Sequence, residues 1–327
     1  MGNFGDWLFW PPFVLQGCPV DLGLSTRFRR TALEYSFMPD IAQVEVKAAV
    51  EVARSVSMEQ ASNGIHYGSF GDTQLAAADL QRMVEAVPSA IAAALHHKRY
   101  YFVPLTLGES FATEINEPAF FEIDPSKLMI AADFSTELSD MAICHRSAKV
   151  DGTDCTFIST RLMQDRFALS FEFYINAGHQ FVDAVGVPES FMQVVWAQAE
   201  ANVRGETSQD AWEQRSKALG CNAMQSAPPE TKRRRPKFGT AKPAPETAIE
   251  YPAVDEKARM QYLEAAFSDA VAIYLLSLTV DFDYSELRER EYPLLAAPAL
   301  AERLKHVATL FPPSGVHEFA ILYRRNR

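Results

Sequence analysis

Cysteine is scarce in this chain: Cys18, Cys144, Cys155 and Cys221 are the only four among 327 residues. They are too few and too scattered for a disulfide framework, and no two have the Cys-x₂-Cys spacing of a zinc site. The seven histidines form no His-x₃-His pair, so no metal centre is expected. Walker-type and dinucleotide glycine loops, a Gly-x-Ser-x-Gly elbow and kinase signatures are all missing. That removes the enzyme families whose chemistry depends on those backbone cradles. Long apolar runs are missing too, since the longest, Ala270 to Val280, is about half a membrane span. The opening MGNFGDWLFWPPFVL has no Lys or Arg before its apolar part, two prolines inside it, and Asp6 where a myristoylation motif wants Ser or Thr. These features predict a soluble, cytoplasmic protein with reduced thiols, no cofactor and no membrane contact.

Charge of one sign dominates what is present. The net charge of −11 argues against a general nucleic-acid binder, whose affinity would rest on neutralising phosphates. Basic residues concentrate in one place, the run Lys232, Arg233, Arg234, Arg235, Pro236, Lys237. Residues 221–250 hold 6 basic and 3 acidic groups, whereas residues 1–220 hold 16 and 28. Six of the nineteen prolines also fall within 221–252, which reads as a Pro-rich basic linker. Nucleic acid could be held only through this run, by salt-sensitive, sequence-blind attraction, because Phe238 is the one aromatic near it.

Four segments follow from the composition. Residues 1–40 form an aromatic-rich arm in which Trp7, Trp10 and Phe13 are candidates for docking a protein partner. Residues 41–220 form the main domain, 221–252 the linker, and 253–327 a helical segment that packs on the main domain and ends in a strand over Val316–Tyr323. Alternation of Val44, Val46, Ala48, Val50 and Val52 predicts a long strand over 41–57. Asp72 and Pro88 read as starts of two successive helices, Pro188, Ser208 and Asp255 as starts of three more, and Pro298 as the start of the last. Met260, Leu263, Phe267, Val271, Tyr274 and Leu278 step by 3 or 4 along a helix whose last turns are apolar all round. Asp281-Phe282-Asp283 is explained as the entry to a capping box with Glu286. The fold class is α+β: a mostly antiparallel twisted sheet flanked by helices, interrupted by the Pro-rich basic insertion.

The stretch from Met141 to Phe181 predicts a three-stranded antiparallel meander, with turns at Asp151-Gly152 and Gln164-Asp165. Its first turn sets Ala148 opposite Cys155 and Arg146 opposite Phe157. Its last run alternates Phe167, Leu169, Phe171, Phe173 and Ile175 with Ala168, Ser170, Glu172 and Tyr174. Folded this way, one face collects Glu172, Arg161, Arg146 and Tyr174, with His179 at the sheet edge. A carboxylate, two guanidiniums, a phenol and an imidazole could bind an anionic or amide-bearing ligand, or carry acid–base chemistry. The leading expectation is nevertheless an interaction or scaffold protein working within a larger assembly. An enzyme with its site around Glu172 is the alternative, and weak nucleic-acid binding through Lys232 to Lys237 is the third.

Overall fold

The structure is a computed structural model describing residues 44–108, 126–163, 165–220, 254–287, 292–315 and 317–321. Trp7, Trp10 and Phe13, and the run from Lys232 to Lys237, lie outside the described residues. The chain is α+β, about half helical, with two sheets whose pairings are mostly antiparallel. It divides into two compact units: one takes Met1–Val84 and His96–Glu172, the other Glu85–Leu95 and Phe173–Arg327.

The first unit holds both sheets. One has β1 (Val46–Ala48), β6 (Met129–Ala131), β5 (Leu105–Leu107) and β7 (Ala142–Ile143) in that spatial order, antiparallel throughout. The other is mixed, ordered β2 (Glu59–Gln60), β3 (His66–Ser69), β4 (Arg99–Val103), β9 (Thr153–Ser159) and β8 (His145–Val150). Its middle strands, β3, β4 and β9, are parallel. Strands in such a position are covered on both faces, and in β4 every residue after Arg99 is buried. Phe157 of β9 stacks on Tyr101 of β4, with ring centroids 4.9 Å apart. Val52 and Ala53 of α1 (Ala49–Ser55) pack into the same cluster, together with Ile130, Val150 and Cys155. Each such fully buried large side chain contributes about 1.5–3 kcal/mol through removal from water.

The β8–β9 hairpin has the predicted register, with Arg146 opposite Phe157 and Ala148 opposite Cys155. Asp151 and Gly152 both have positive φ, 51° and 80°, as a two-residue turn between twisted strands requires. Cys144 and Cys155 are free thiols.

The third strand of the predicted meander is instead helical. Residues Arg166–Val185 form α5, twenty residues long. Asp165 is its N-cap, since Asp165 Oδ1 accepts from the Ala168 N–H at 2.7 Å. Phe167 and Phe171 face one another one turn apart on it. The partner that the sequence reading reserved for this run against β9 is β4, in parallel. A second difference falls at 41–57, where β1 lasts three residues and α1 follows. Ala49, Val52 and Ala53 are buried at helical spacing, so the alanines outweigh the valine alternation. Residues 317–321 of the predicted final strand carry no strand.

Within the second unit the elements are helical: α3 (Ser89–Leu95), the rest of α5, α6 (Glu189–Glu200), α7 (Gln209–Ala218), α8 (Glu256–Ser277) and α9 (Ala297–Leu310). Caps predicted at Ser208 and Asp255 form: Ser208 Oγ accepts from Ala211 N–H at 3.1 Å, and Asp255 Oδ1 from Lys257 and Ala258 N–H groups. The buried middle of α8, Ala265 to Leu276, makes it the central element of this unit. Phe267 of α8 meets Phe191 of α6 at 4.8 Å between ring centroids. Gly178 of α5 lets backbones approach, since a Cβ there would lie 2.8 Å from the Ser268 carbonyl oxygen.

Candidate functional site

In open parallel sheets ligands bind beyond the carboxyl ends of the strands. That rim of the first unit holds two of the residues singled out from sequence, Glu172 and Arg161. Ser159 closes β9: its hydroxyl donates to the Ile143 carbonyl at 2.6 Å and accepts the Thr106 N–H at 2.7 Å. Thr160 follows, its hydroxyl donating to the carbonyls of Thr73 and Val103. Arg161 then reaches across to Asp72, donating to its carboxylate at 3.0 Å and its carbonyl at 3.2 Å. Asp133 lies 3.9 Å away, and the guanidinium sits 5.3 Å from the centre of the Phe134 ring.

Glu172 does not sit opposite Phe157, as a strand would have placed it. From the second turn of α5 its Oε1 pairs with His145 Nδ1 at the start of β8. Both side chains are 15% exposed, so the pair is shielded without being sealed. The other imidazole nitrogen, Nε2, has no partner among the described residues. Arg146 points away from His145 by strand alternation, toward the side of Ala148 and Val150. Tyr174 and His179 belong to the second unit, where Tyr174 is buried and donates to the Thr279 hydroxyl at 3.2 Å. Of the five candidates, Glu172, Arg161 and Arg146 lie in the first unit and Tyr174 and His179 in the second. The residue that sequence reasoning missed is His145, and Asp165 was the available signal. Read as an N-cap, it turns Arg166–Val185 into a helix and takes Glu172 off the sheet.

The second unit contains a buried ionic network that no spacing announced. Glu206 and Arg303 are fully buried and Arg215 is 4% exposed. Arg303 donates to Glu206 Oε2 at 2.9 Å, to Gln198 Oε1 at 2.8 Å and to the Tyr262 hydroxyl at 3.2 Å. Arg215 donates to Glu206 Oε1 at 3.1 Å and to the carbonyls of Gly205 and Ala199. The Tyr262 hydroxyl donates to Glu206 Oε1 at 2.6 Å. The carboxylate is presented by a tight loop. Gly205 has φ +80°, and a Cβ on it would come within 2.1 Å of the Leu294 carbonyl oxygen. Close by, Asp269 of α8 is buried and accepts from the Thr207 hydroxyl at 2.7 Å. Burial pushes its carboxyl up to about 7.

A groove of about 570 Å³ runs between α6 and α9, open to solvent. Val194, Ala197, Ala201 and Val203 line it, with Glu302 and His306 on the α9 side, and His306 Nε2 lies 2.9 Å from the Ser190 hydroxyl. No group of three or more His, Cys, Asp or Glu side chains that could hold a metal ion occurs among the described residues. Nor is any of their helices long and apolar enough to cross a membrane.

Over their full sequence spans both units are acidic, the first with a net −8 and the second with a net −3. The chain matches no family model, no curated protein and no solved structure.

Proposed function

We propose that this is a cytoplasmic interaction protein that engages a basic surface of a protein partner through exposed carboxylates of α6 and α9. The net charge of −11, with Glu189, Glu200 and Glu302 exposed on those two helices, carries this reading. A surface field of one sign raises encounter rates with an oppositely charged partner and discourages others. Pull-down from extract of the source cells, at low and moderate salt, tests the proposal. Recovery of a basic protein that is lost both in salt and in the exposed triple variant Glu189→Lys, Glu200→Lys, Glu302→Lys supports it. Recovery unchanged by salt and by the charge reversal sinks it.

His145 with Glu172 supports a second reading, an acid–base site on the rim of the first unit. A carboxylate oriented on one imidazole nitrogen, with the other unpartnered among the described residues, is how a general base is held. A thermal-shift screen of small organic acids and amides checks it: a stabilising ligand must lose its effect in His145→Asn, and a hit that persists in that variant rules the site out.

A further inference from the structure

We propose that Asp269 is a proton-controlled latch holding α7 and the loop before it against α8. The geometry of its surroundings argues for a neutral group. Asp269 sits in the middle of α8, buried, and no ion pair reaches it among the described residues. Its hydrogen-bond donors are hydroxyls, from Thr207 and Ser208, and Ser208 is also the N-cap of α7.

The charged groups that face it come from each neighbouring element. Glu206 from the preceding loop and Asp210 from the first turn of α7 both disfavour a second negative charge. Tyr284, from the 3-10 turn Tyr284–Leu287, is within electrostatic reach as a neutral phenol. Arg303 of α9 and Arg215 of α7 could offset a carboxylate, but both donate to Glu206. An ionised Asp269 would therefore stand buried beside two carboxylates with no cation of its own.

The direction of the effect follows from linkage. In an opened state Asp269 meets water and titrates near the ordinary 3.8, whereas in the closed state burial holds its carboxyl at about 7. The closed state binds the extra proton between those values, so closure is favoured in acid and weakens as pH rises toward 7, then levels off. The opening equilibrium changes by up to about tenfold per pH unit in that window. What opens is the contact Asp269 itself makes, the 205–208 loop and the start of α7.

Amide hydrogen exchange on the full chain between pH 5 and 8, corrected for intrinsic exchange, reads the latch. Protection of α7 amides from Trp212 to Ala218 is expected to fall steeply up to about pH 7 and then flatten, as linkage requires. Amides of β4 and β9 should show no such slope, and Asp269→Asn should remove it from α7. Flat protection in the wild-type chain, or an unchanged slope in the variant, overturns the proposal. Because the variant can fail to fold, the carboxyl carbon of Asp269 is also followed by NMR in the wild-type chain. A midpoint near neutrality is expected, and one in the ordinary carboxylate range overturns the latch.

Discussion

Glu206→Gln is the substitution with the largest effect the structure implies for its volume change, which is close to zero. The carboxylate accepts four hydrogen bonds, one from Arg215, two from Arg303 and one from Tyr262. Glutamine keeps one acceptor oxygen and turns the other into an amide donor, facing donors. Two buried guanidiniums are left without a counter-ion. Removing one partner of a buried pair costs about 3–5 kcal/mol, mostly because the other charge stays buried. For a domain whose stability is about 5–15 kcal/mol, that is about a fifth or more of the total. Urea unfolding of the full chain, followed through Trp196 and Trp212 of this unit and by circular dichroism, measures the loss. A companion variant, Glu206→Met with Arg215→Leu and Arg303→Met, removes all three charges together and is expected to lose less than the single change. A single-variant loss below about 1 kcal/mol would refute the reasoning, because it would place the group outside the regime of buried charges.

Four further outcomes follow from the packing. Gly178→Ala normally stabilises a helix by about 1 kcal/mol. Here the new Cβ would lie 2.8 Å from the Ser268 carbonyl oxygen, so the thermal midpoint should drop instead. Phe157→Ala empties a fully buried site stacked on Tyr101 and should cost about 3–5 kcal/mol in urea titration. Arg54→Ala removes a bidentate but exposed pair with Asp151, and its melting curve should superimpose on that of the wild type. Replacing 222–252 by a short Gly-Ser linker should leave the second unit's unfolding midpoint in place, because the Asp255 N–H already bonds to the Ala218 carbonyl at 3.3 Å across the segment's base.

Local signals were legible wherever a side chain bonds to its own backbone. Ser208 and Asp255 cap the helices their positions announced, and Asp283 accepts from Ser285 N–H at the start of its 3-10 turn. The Asp151-Gly152 turn set a register correct to the residue. Nonlocal pairing was not legible. Alternation of Phe167, Leu169, Phe171, Phe173 and Ile175 satisfies a strand, yet a helix buried around most of its circumference also tolerates apolar residues at these positions, and Leu169, Phe173 and Ile175 are buried in α5. β9 found its second neighbour in β4, more than fifty residues earlier, which no hairpin rule foresees. The polar face failed for the same reason: β9 is paired in parallel with β4 and covered on both sides, so Cys155 and Phe157 belong to a core cluster rather than a solvated surface. The Glu206 network gives no sequence pattern because its members come from four separate stretches, brought together only by packing.

That network and the acidic surface answer to different measurements, which lets stability and association be separated in one protein. Glu206, Arg215 and Arg303 are buried and mutually satisfied, so changing them moves unfolding midpoints while leaving the outward field almost as it was. Glu189, Glu200 and Glu302 are exposed, and their hydrogen bonds are to neighbouring Gln193, Trp196 and Gln198 side chains. Reversing them changes net charge by six without opening the core, so it should act on the rate and salt dependence of association rather than on folding. If the triple reversal instead lowers the unfolding midpoint as far as Glu206→Gln does, the surface carboxylates are part of the fold. Their exposure then loses its value as an argument for a partner.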